Sequence, residues 1–196
     1  MSSMVSRFLM AALLLSPATC MAAEQAGWRG SESGLSDPTG GNAVLGLQRW
    51  RVLTQSDNYS FEDYAGFLVT YPGWPEDTRM RRNAEQAINI SSFSPTRVLA
   101  FFDQFEPLTN AGAAKYAVAL QATGQRDKAA AMARQAWRGG TLSSDVEAAL
   151  IARFSSVLTI DDHDARMDAL LWARATRDAA GHLAFTSPAR RPVFAA

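Results

Sequence analysis

The residue types that perform chemistry are concentrated in one stretch of this chain, Thr159 to Trp172, which reads TIDDHDARMDALLW. It holds four acidic residues and one of the two histidines among 196 residues. Carboxylates beside a histidine could bind a divalent cation or transfer a proton. Successive residues on a helix point about 100° apart, so Asp161, Asp162 and Asp164 would not converge on one ion if this stretch is helical.

The same stretch is also typical of a helix start. Thr159 and Asp162 have the spacing of a capping box, and acidic side chains in the first turn are stabilised by the positive end of the helix dipole. The residues at helical spacing after them predict one packing face: His163, Met167, Leu170 and Leu171. We therefore expect His163 to be partly buried and hydrogen-bonded, with a structural role rather than a metal to bind.

Strong catalytic or cofactor motifs are missing from the sequence. It contains no Gly-x-Ser-x-Gly, no phosphate-binding glycine loop, no His-Glu-x-x-His and no paired Cys-x-x-Cys. Cys20 is the only cysteine, and it lies in a segment that we expect to be removed. We assign no catalytic, cofactor-binding or metal-binding residue from the sequence, and we expect no cofactor.

Aromatic residues offer a different chemistry, because several together could line a sugar-stacking groove: Trp50, Trp74, Trp137, Trp172, Tyr59, Tyr64, Tyr71 and Tyr116. Most of them lie on apolar helical stripes, so packing in the core is favoured for each. Trp74, in the turn YPGWPED, is the one that we expect to be free for a partner. The run DTRMRRN predicts a solvated helix face, although Arg79, Arg81 and Arg82 could contact an anionic polymer.

The first 23 residues have the pattern of a secretory signal peptide. Arg7 is their only charge, the apolar run FLMAALLLSPA follows, and the small residues of TCMAA come last. The apolar run is too short to span a bilayer, so we expect a cleaved signal rather than a transmembrane anchor. Residues 24–41, rich in Gly and Ser, predict a flexible leader.

From residue 42 to 196 apolar residues recur at helical spacing in segment after segment, with short breaks between them. This pattern predicts an all-α domain of stacked antiparallel helical hairpins, forming an α-superhelix. The hairpin that turns at Gly124 is similar to a tetratricopeptide unit. Ser187-Pro188 resembles another helix start close to the last residue, which favours a domain truncated at its C-terminus. The balance of 19 basic and 19 acidic residues argues against nucleic acid as a partner.

Four phrases together resemble the N-terminal region of soluble lytic murein transglycosylases of the alphaproteobacterial type: RWRVLTQSDNYSFEDYAGFLVTYPGWPEDTRMRRNAE, FFDQFEPLTNAGAAKYAVAL, ARQAWRGGTLSSDVE and DHDARMDALLWAR. The resemblance implies a periplasmic protein of peptidoglycan remodelling. Enzymes of this family cleave glycan strands without water and leave a 1,6-anhydro sugar. A glutamic acid in a C-terminal lysozyme-like domain acts as acid and then base, and the helical region guides the glycan or protein partners.

The chain departs from the family because the lysozyme-like domain is missing. Its only Glu-Ser pair, Glu32-Ser33, lies in the leader, where no desolvated pocket can raise the pKa of a catalytic acid. We therefore expect a non-catalytic module, inactive alone, whose link to peptidoglycan glycan strands depends on the missing domain. The alternative is an autonomous periplasmic tetratricopeptide-like module that binds proteins. An independent small glycosidase ranks last, since no pair of carboxylates across a cleft can be assigned.

Overall fold

The computed structural model of the chain describes residues 41–195. The predicted signal peptide, residues 1–23, and all of the predicted leader except Gly41 lie outside this range. Within it, all regular structure is helical, with ten α-helices, one short 3-10 helix and no strand. The all-α prediction is confirmed.

The ten helices follow one another with short connections. In chain order they are α1 Gly41–Leu53, α2 Phe61–Thr70, α3 Asp77–Ala87, α4 Pro95–Phe102, α5 Asn110–Ala122, α6 Arg126–Arg138, α7 Ser144–Phe154, α8 Ile160–Trp172, α9 Thr176–His182 and α10 Arg191–Phe194, with the 3-10 helix Leu183–Phe185 after α9. None of the helices in this described part of the chain is long and apolar enough to cross a membrane.

Helix starts follow the predicted caps in part. Capping boxes open α2 at Ser60 and α8 at Thr159, and Ser94 precedes Pro95 at the first position of α4. Ser144 and Glu147 also have the spacing of a capping box, but they form none, because the N-cap of α7 is Ser143. The helix start predicted at Ser187 is wrong in position: the Ser187 hydroxyl accepts the N–H of Arg190 in a turn, and α10 begins only at Arg191.

The predicted hairpin around Gly124 is confirmed by α5 and α6, which make the most extensive helix contact in the described chain. Gly124 joins them with a φ of +81°, a conformation that only glycine adopts at little cost. Small buried residues let the two backbones approach closely, among them Ala113, Ala117, Ala129, Ala133 and Ala136. The core continues from this hairpin into α7.

Contacts between elements place α8 in the C-terminal half. It lies against α6 and α9, and the 3-10 helix also contacts it. Met167 and Leu170 of α8 are fully buried and pack with Ala179 of α9. The acidic phrase, residues 159–168 at the start of α8, is therefore held between two neighbouring helices.

Candidate functional site

Asp162 shows what the acidic phrase does. Its carboxylate is completely buried and accepts hydrogen bonds from the backbone N–H and the hydroxyl of Thr159, both at 2.8 Å. Its other oxygen pairs with the guanidinium of Arg138. Burial raises the pKa of Asp162, but the hydrogen bonds from Thr159 and Arg138 outweigh burial and hold that pKa below its usual range. Asp162 caps α8 and ties it to α6.

The remaining acids of the phrase point to separate partners. Asp164 accepts the backbone N–H of Ser187 at 2.8 Å, and Asp168 pairs with Arg190 at 2.9 Å. Asp161 is exposed to solvent. Among residues 41–195, no group of three or more His, Cys, Asp or Glu side chains is placed to hold a metal ion.

The two histidines meet in the interior next to this phrase. The rings of His163 and His182 are 5.2 Å apart between centroids, and Nε2 of His182 lies 3.1 Å from the carbonyl oxygen of His163. A carbonyl oxygen only accepts, so Nε2 of His182 carries the proton. His163 is partly buried as predicted, and Nδ1 of its ring has no hydrogen-bond partner among the described residues.

Arg166 and Trp137 complete this cluster. Arg166 is only 2% exposed; its guanidinium carbon lies 3.9 Å from the Trp137 ring centroid, and Nη2 donates to Glu147 at 2.8 Å. Both histidine rings contact the Trp137 ring at 5.6 and 5.7 Å between centroids. The cluster joins α6, α7, α8 and α9, and its side chains are engaged in holding those helices together.

The histidine cluster predicts a pH-dependent stability. Burial is the main factor that lowers the pKa of His182 to about 4, from 6.5 for an exposed histidine. Between pH 6.5 and about 4, His182 is protonated in the unfolded chain but neutral in the folded chain. The free energy of unfolding therefore falls as the pH falls through this window. We expect a loss on the order of 2–3 kcal/mol, measured by urea unfolding at a series of pH values.

The matched variant is His182→Gln, which has an amide donor for the His163 carbonyl and no titrating group. It should flatten the pH dependence in the same window, whatever its stability at neutral pH. An equally steep loss of stability in His182→Gln would show that another group is responsible.

A second buried polar network, which the sequence analysis did not find, joins α3 to α5. Glu85 is 1% exposed, and its carboxylate accepts the backbone N–H of Leu108 at 2.6 Å and the hydroxyl of Thr109. Lys115, also buried, donates to the backbone carbonyl oxygens of Glu85 and Gln86 at 2.7 and 2.9 Å. Burial lowers the pKa of Lys115, against the charges of Asp145 and Glu85.

This network satisfies two helix ends at once. The carboxylate of Glu85 lies at the positive N-terminal end of α5, and the ammonium of Lys115 lies at the negative C-terminal end of α3. Gly112 leaves space for the Glu85 carboxylate, because a Cβ at position 112 would overlap it. Both carboxylate oxygens are used by the fold, so Glu85 is not placed as a catalytic acid. No spacing in the sequence signals this contact.

The aromatic residues separate into three classes. Trp137 and Tyr64 are buried, as core packing predicts. Trp74 packs against Phe67 and Tyr71 at 5.9 and 6.0 Å between centroids and is partly buried, so the prediction that Trp74 is free for a partner is wrong. Trp172 is exposed, with 89% of its surface accessible to solvent, so the core packing favoured for it by the sequence is wrong.

Leu171 and Trp172 form the apolar part of a shallow depression of about 350 Å³ at the end of α8. Leu171 is 42% exposed, so its predicted place on the packing face is wrong. Asp168 and Arg174 line the same depression. A tryptophan on the surface beside two opposite charges makes this the candidate binding site, and we call it the Trp172 surface.

The arginines of DTRMRRN are mostly engaged within the fold. Arg79 pairs with Asp57 at 2.8 Å and with Glu76 at 2.6 Å. Arg81 donates to the carbonyl oxygen of Glu106, and its guanidinium lies 5.2 Å from the ring centroid of Phe105. This face therefore has a structural use, which weakens it as a site for an anionic polymer.

No protein-family model, curated protein or solved structure matches this chain.

Proposed function

We propose that this chain is the non-catalytic helical module of a periplasmic lytic transglycosylase that acts on peptidoglycan. The proposal rests on the four sequence phrases that resemble the family. One observation in the acidic phrase supports the non-catalytic part of the proposal. The buried carboxylate of Asp162 caps α8, that of Asp164 accepts a backbone N–H, and the imidazole of His163 packs against Trp137.

Three glutamates of the described chain support the same conclusion. A glycosidic bond is cleaved by a carboxylic acid that faces a cleft and has a raised pKa. Glu85 binds the start of α5, Glu147 pairs with Arg166, and Glu62 pairs with Arg97. In this proposal the catalytic acid belongs to a lysozyme-like domain supplied by further sequence or by another polypeptide.

We further propose that the helices form a tetratricopeptide-like superhelix. In addition to its hairpin partner α6, α5 contacts α3 and α7, and α6 contacts α8. Contacts between helices two positions apart are expected where hairpins stack one on another. Such a stack would present an extended surface to a glycan strand and its processing domain.

Two assays on purified sacculi test the function. The sequence alone linked this chain to glycan only through the missing domain, and the proposal adds direct contact of the helices with the glycan. The mature chain, residues 24–196, should therefore sediment with sacculi but release no 1,6-anhydro muropeptides, because it supplies binding surface and no catalytic acid. Mass spectrometry of the supernatant measures release, and an active lytic transglycosylase is the positive control. Robust release by this chain would overturn the non-catalytic assignment, and failure to sediment with sacculi would count against peptidoglycan as its target.

The alternative, an autonomous periplasmic module that binds proteins, is favoured by the small-residue hairpin of α5 and α6. The DNA downstream of the codon for Ala196 separates the two. A reading frame for a lysozyme-like domain supports the transglycosylase, and an unrelated gene supports the alternative. Both require export, so residues 1–41 fused to alkaline phosphatase without its own signal should give an active enzyme in the periplasm.

A further inference from the structure

We propose that the Trp172 surface is a saccharide-binding site that takes an N-acetylated hexosamine unit of a glycan strand. This inference rests on the proposed function for its choice of glycan, and it adds the residues that would make the contact. Trp172, Arg174 and Asp168 are the side chains that would bind.

The exposure of Trp172 needs an explanation. Tryptophan is among the most buried residues on average, because its large apolar ring gains most from leaving water. Trp50 and Trp74 are partly buried in this structure and Trp137 is buried, while Trp172 keeps 89% of its surface in solvent. Trp172 makes no ring contact with another residue of the described chain, so its indole faces are open to a ligand.

The rim supplies the polar groups that a sugar requires. Asp168 lies one helical turn before Trp172, and Arg190 holds its carboxylate through bonds of 2.9 and 3.0 Å to both oxygens. This carboxylate can accept a sugar hydroxyl or the N–H of an acetamido group. The exposed guanidinium of Arg174 can donate to a hydroxyl or to the acetamido carbonyl, and it has no ion-pair partner among residues 41–195.

The backbone at Arg174 adds a second observation. Helices α5 and α8 both end in a Schellman turn, which two backbone hydrogen bonds close. In α5 the N–H groups of Gly124 and Gln125 donate to the carbonyl oxygens of Gln121 and Leu120. In α8 the N–H groups of Arg174 and Ala175 donate to the carbonyl oxygens of Leu171 and Leu170. The residue in the left-handed conformation is glycine in α5, but in α8 it is Arg174, with a φ of +55°. Arginine is unfavourable there, so a stability requirement alone would favour glycine.

The size and character of the depression fit a small amphipathic ligand. Its volume of about 350 Å³ lies at the lower end of the range for small-molecule sites. A protein partner typically covers about 800 Å² of surface around an apolar centre that is depleted in charge. Two of the four residues that line this depression are charged. A pyranose ring has an apolar face for the indole and polar groups at its edge for Asp168 and Arg174.

The test uses the indole N–H signals of the tryptophans in a nitrogen-15 correlation spectrum of the mature chain, residues 24–196. The probe is an oligomer of four β-1,4-linked N-acetylglucosamine units. The signal that disappears in Trp172→Phe identifies Trp172, and it should shift with the concentration of the probe while the other indole signals stay in place. Trp172→Ala should weaken binding by roughly tenfold or more, and Trp172→Phe should bind with intermediate strength.

Arg174→Gly separates binding from folding. Glycine relieves the left-handed backbone, so this variant should be at least as stable as the parent chain, yet it should bind the probe several-fold more weakly. Ile151→Ala, a change at an exposed apolar residue of α7, is the matched control and should leave binding unchanged.

Three outcomes would overturn the site: no shift of the Trp172 signal, a shift of another tryptophan instead, or self-association of the chain that Trp172→Ala abolishes. Sedimentation with sacculi keeps the two proposals apart. If the parent chain sediments and Trp172→Ala sediments equally well, the site is wrong and the proposed function stands. If the parent chain does not sediment but the probe shifts Trp172, the site stands and peptidoglycan is not its target.

Discussion

Replacing Trp137 with alanine is expected to destabilise the protein by about 3–5 kcal/mol, the range for removing a large buried aromatic side chain. Trp137 is 2% exposed and contacts the rings of both histidines. It also covers the guanidinium of Arg166, of which Nε and Nη1 have no hydrogen-bond partner in the described chain. Without the indole, that buried charge would face a cavity. Urea unfolding followed by far-UV circular dichroism measures the loss.

Trp172→Ala is the matched control, since it makes the same chemical change on the surface. It should alter the free energy of unfolding by less than about 0.5 kcal/mol, because little of the Trp172 side chain is buried. Similar losses in Trp137→Ala and Trp172→Ala would contradict the burial that distinguishes them. The comparison also establishes that Trp172→Ala is folded, which the saccharide test needs.

Replacing Glu85 with alanine is expected to cost about 3 kcal/mol, because buried donors lose their acceptor. The backbone N–H of Leu108 and the hydroxyl of Thr109 both donate to this carboxylate. The buried ammonium of Lys115 would also lose a nearby negative charge. We expect the contact between α3 and α5 to loosen first, with faster amide hydrogen exchange at the start of α5.

The exposed neighbour Gln86 offers the control. Its side chain faces solvent, and Lys115 contacts only its backbone carbonyl oxygen. Gln86→Ala should therefore be nearly neutral, while Glu85→Gln should fall between the parent chain and Glu85→Ala, since an amide can accept only at its oxygen. If Glu85→Ala is as stable as Gln86→Ala, the network is not the link between the helices that we describe.

Local patterns predicted much of the helical structure correctly. The capping box of Thr159 and Asp162, the hairpin turn at Gly124 and the all-α class all depend on residues within a few positions of one another. The same reasoning failed near Ser187 because a cap and a proline allow a helix start but do not require one. There the backbone N–H of Ser187 binds Asp164, a residue of a different helix.

Contacts between distant residues could not be predicted in this way. Nothing in the sequence indicates that Glu85 and Thr109 are in contact, because their hydrogen bond depends on how α3 packs against α5. The histidines illustrate the same limit, since each was isolated in its own segment and the packing of α9 on α8 brings the two rings together.

The tryptophans show most clearly where local information ends. Spacing along a helix indicates which residues share a face, and it favoured the core for Trp137 and Trp172 alike, but only Trp137 is buried. Whether a face is covered depends on the neighbouring elements: Phe67 and Tyr71 cover Trp74, whereas the end of α8 leaves Trp172 open to solvent. Hydrogen bonds within one turn are determined by neighbouring residues in the chain, whereas burial depends on the packing of the whole structure. The candidate site is defined by the exposure of Trp172, so only the tertiary structure could identify it.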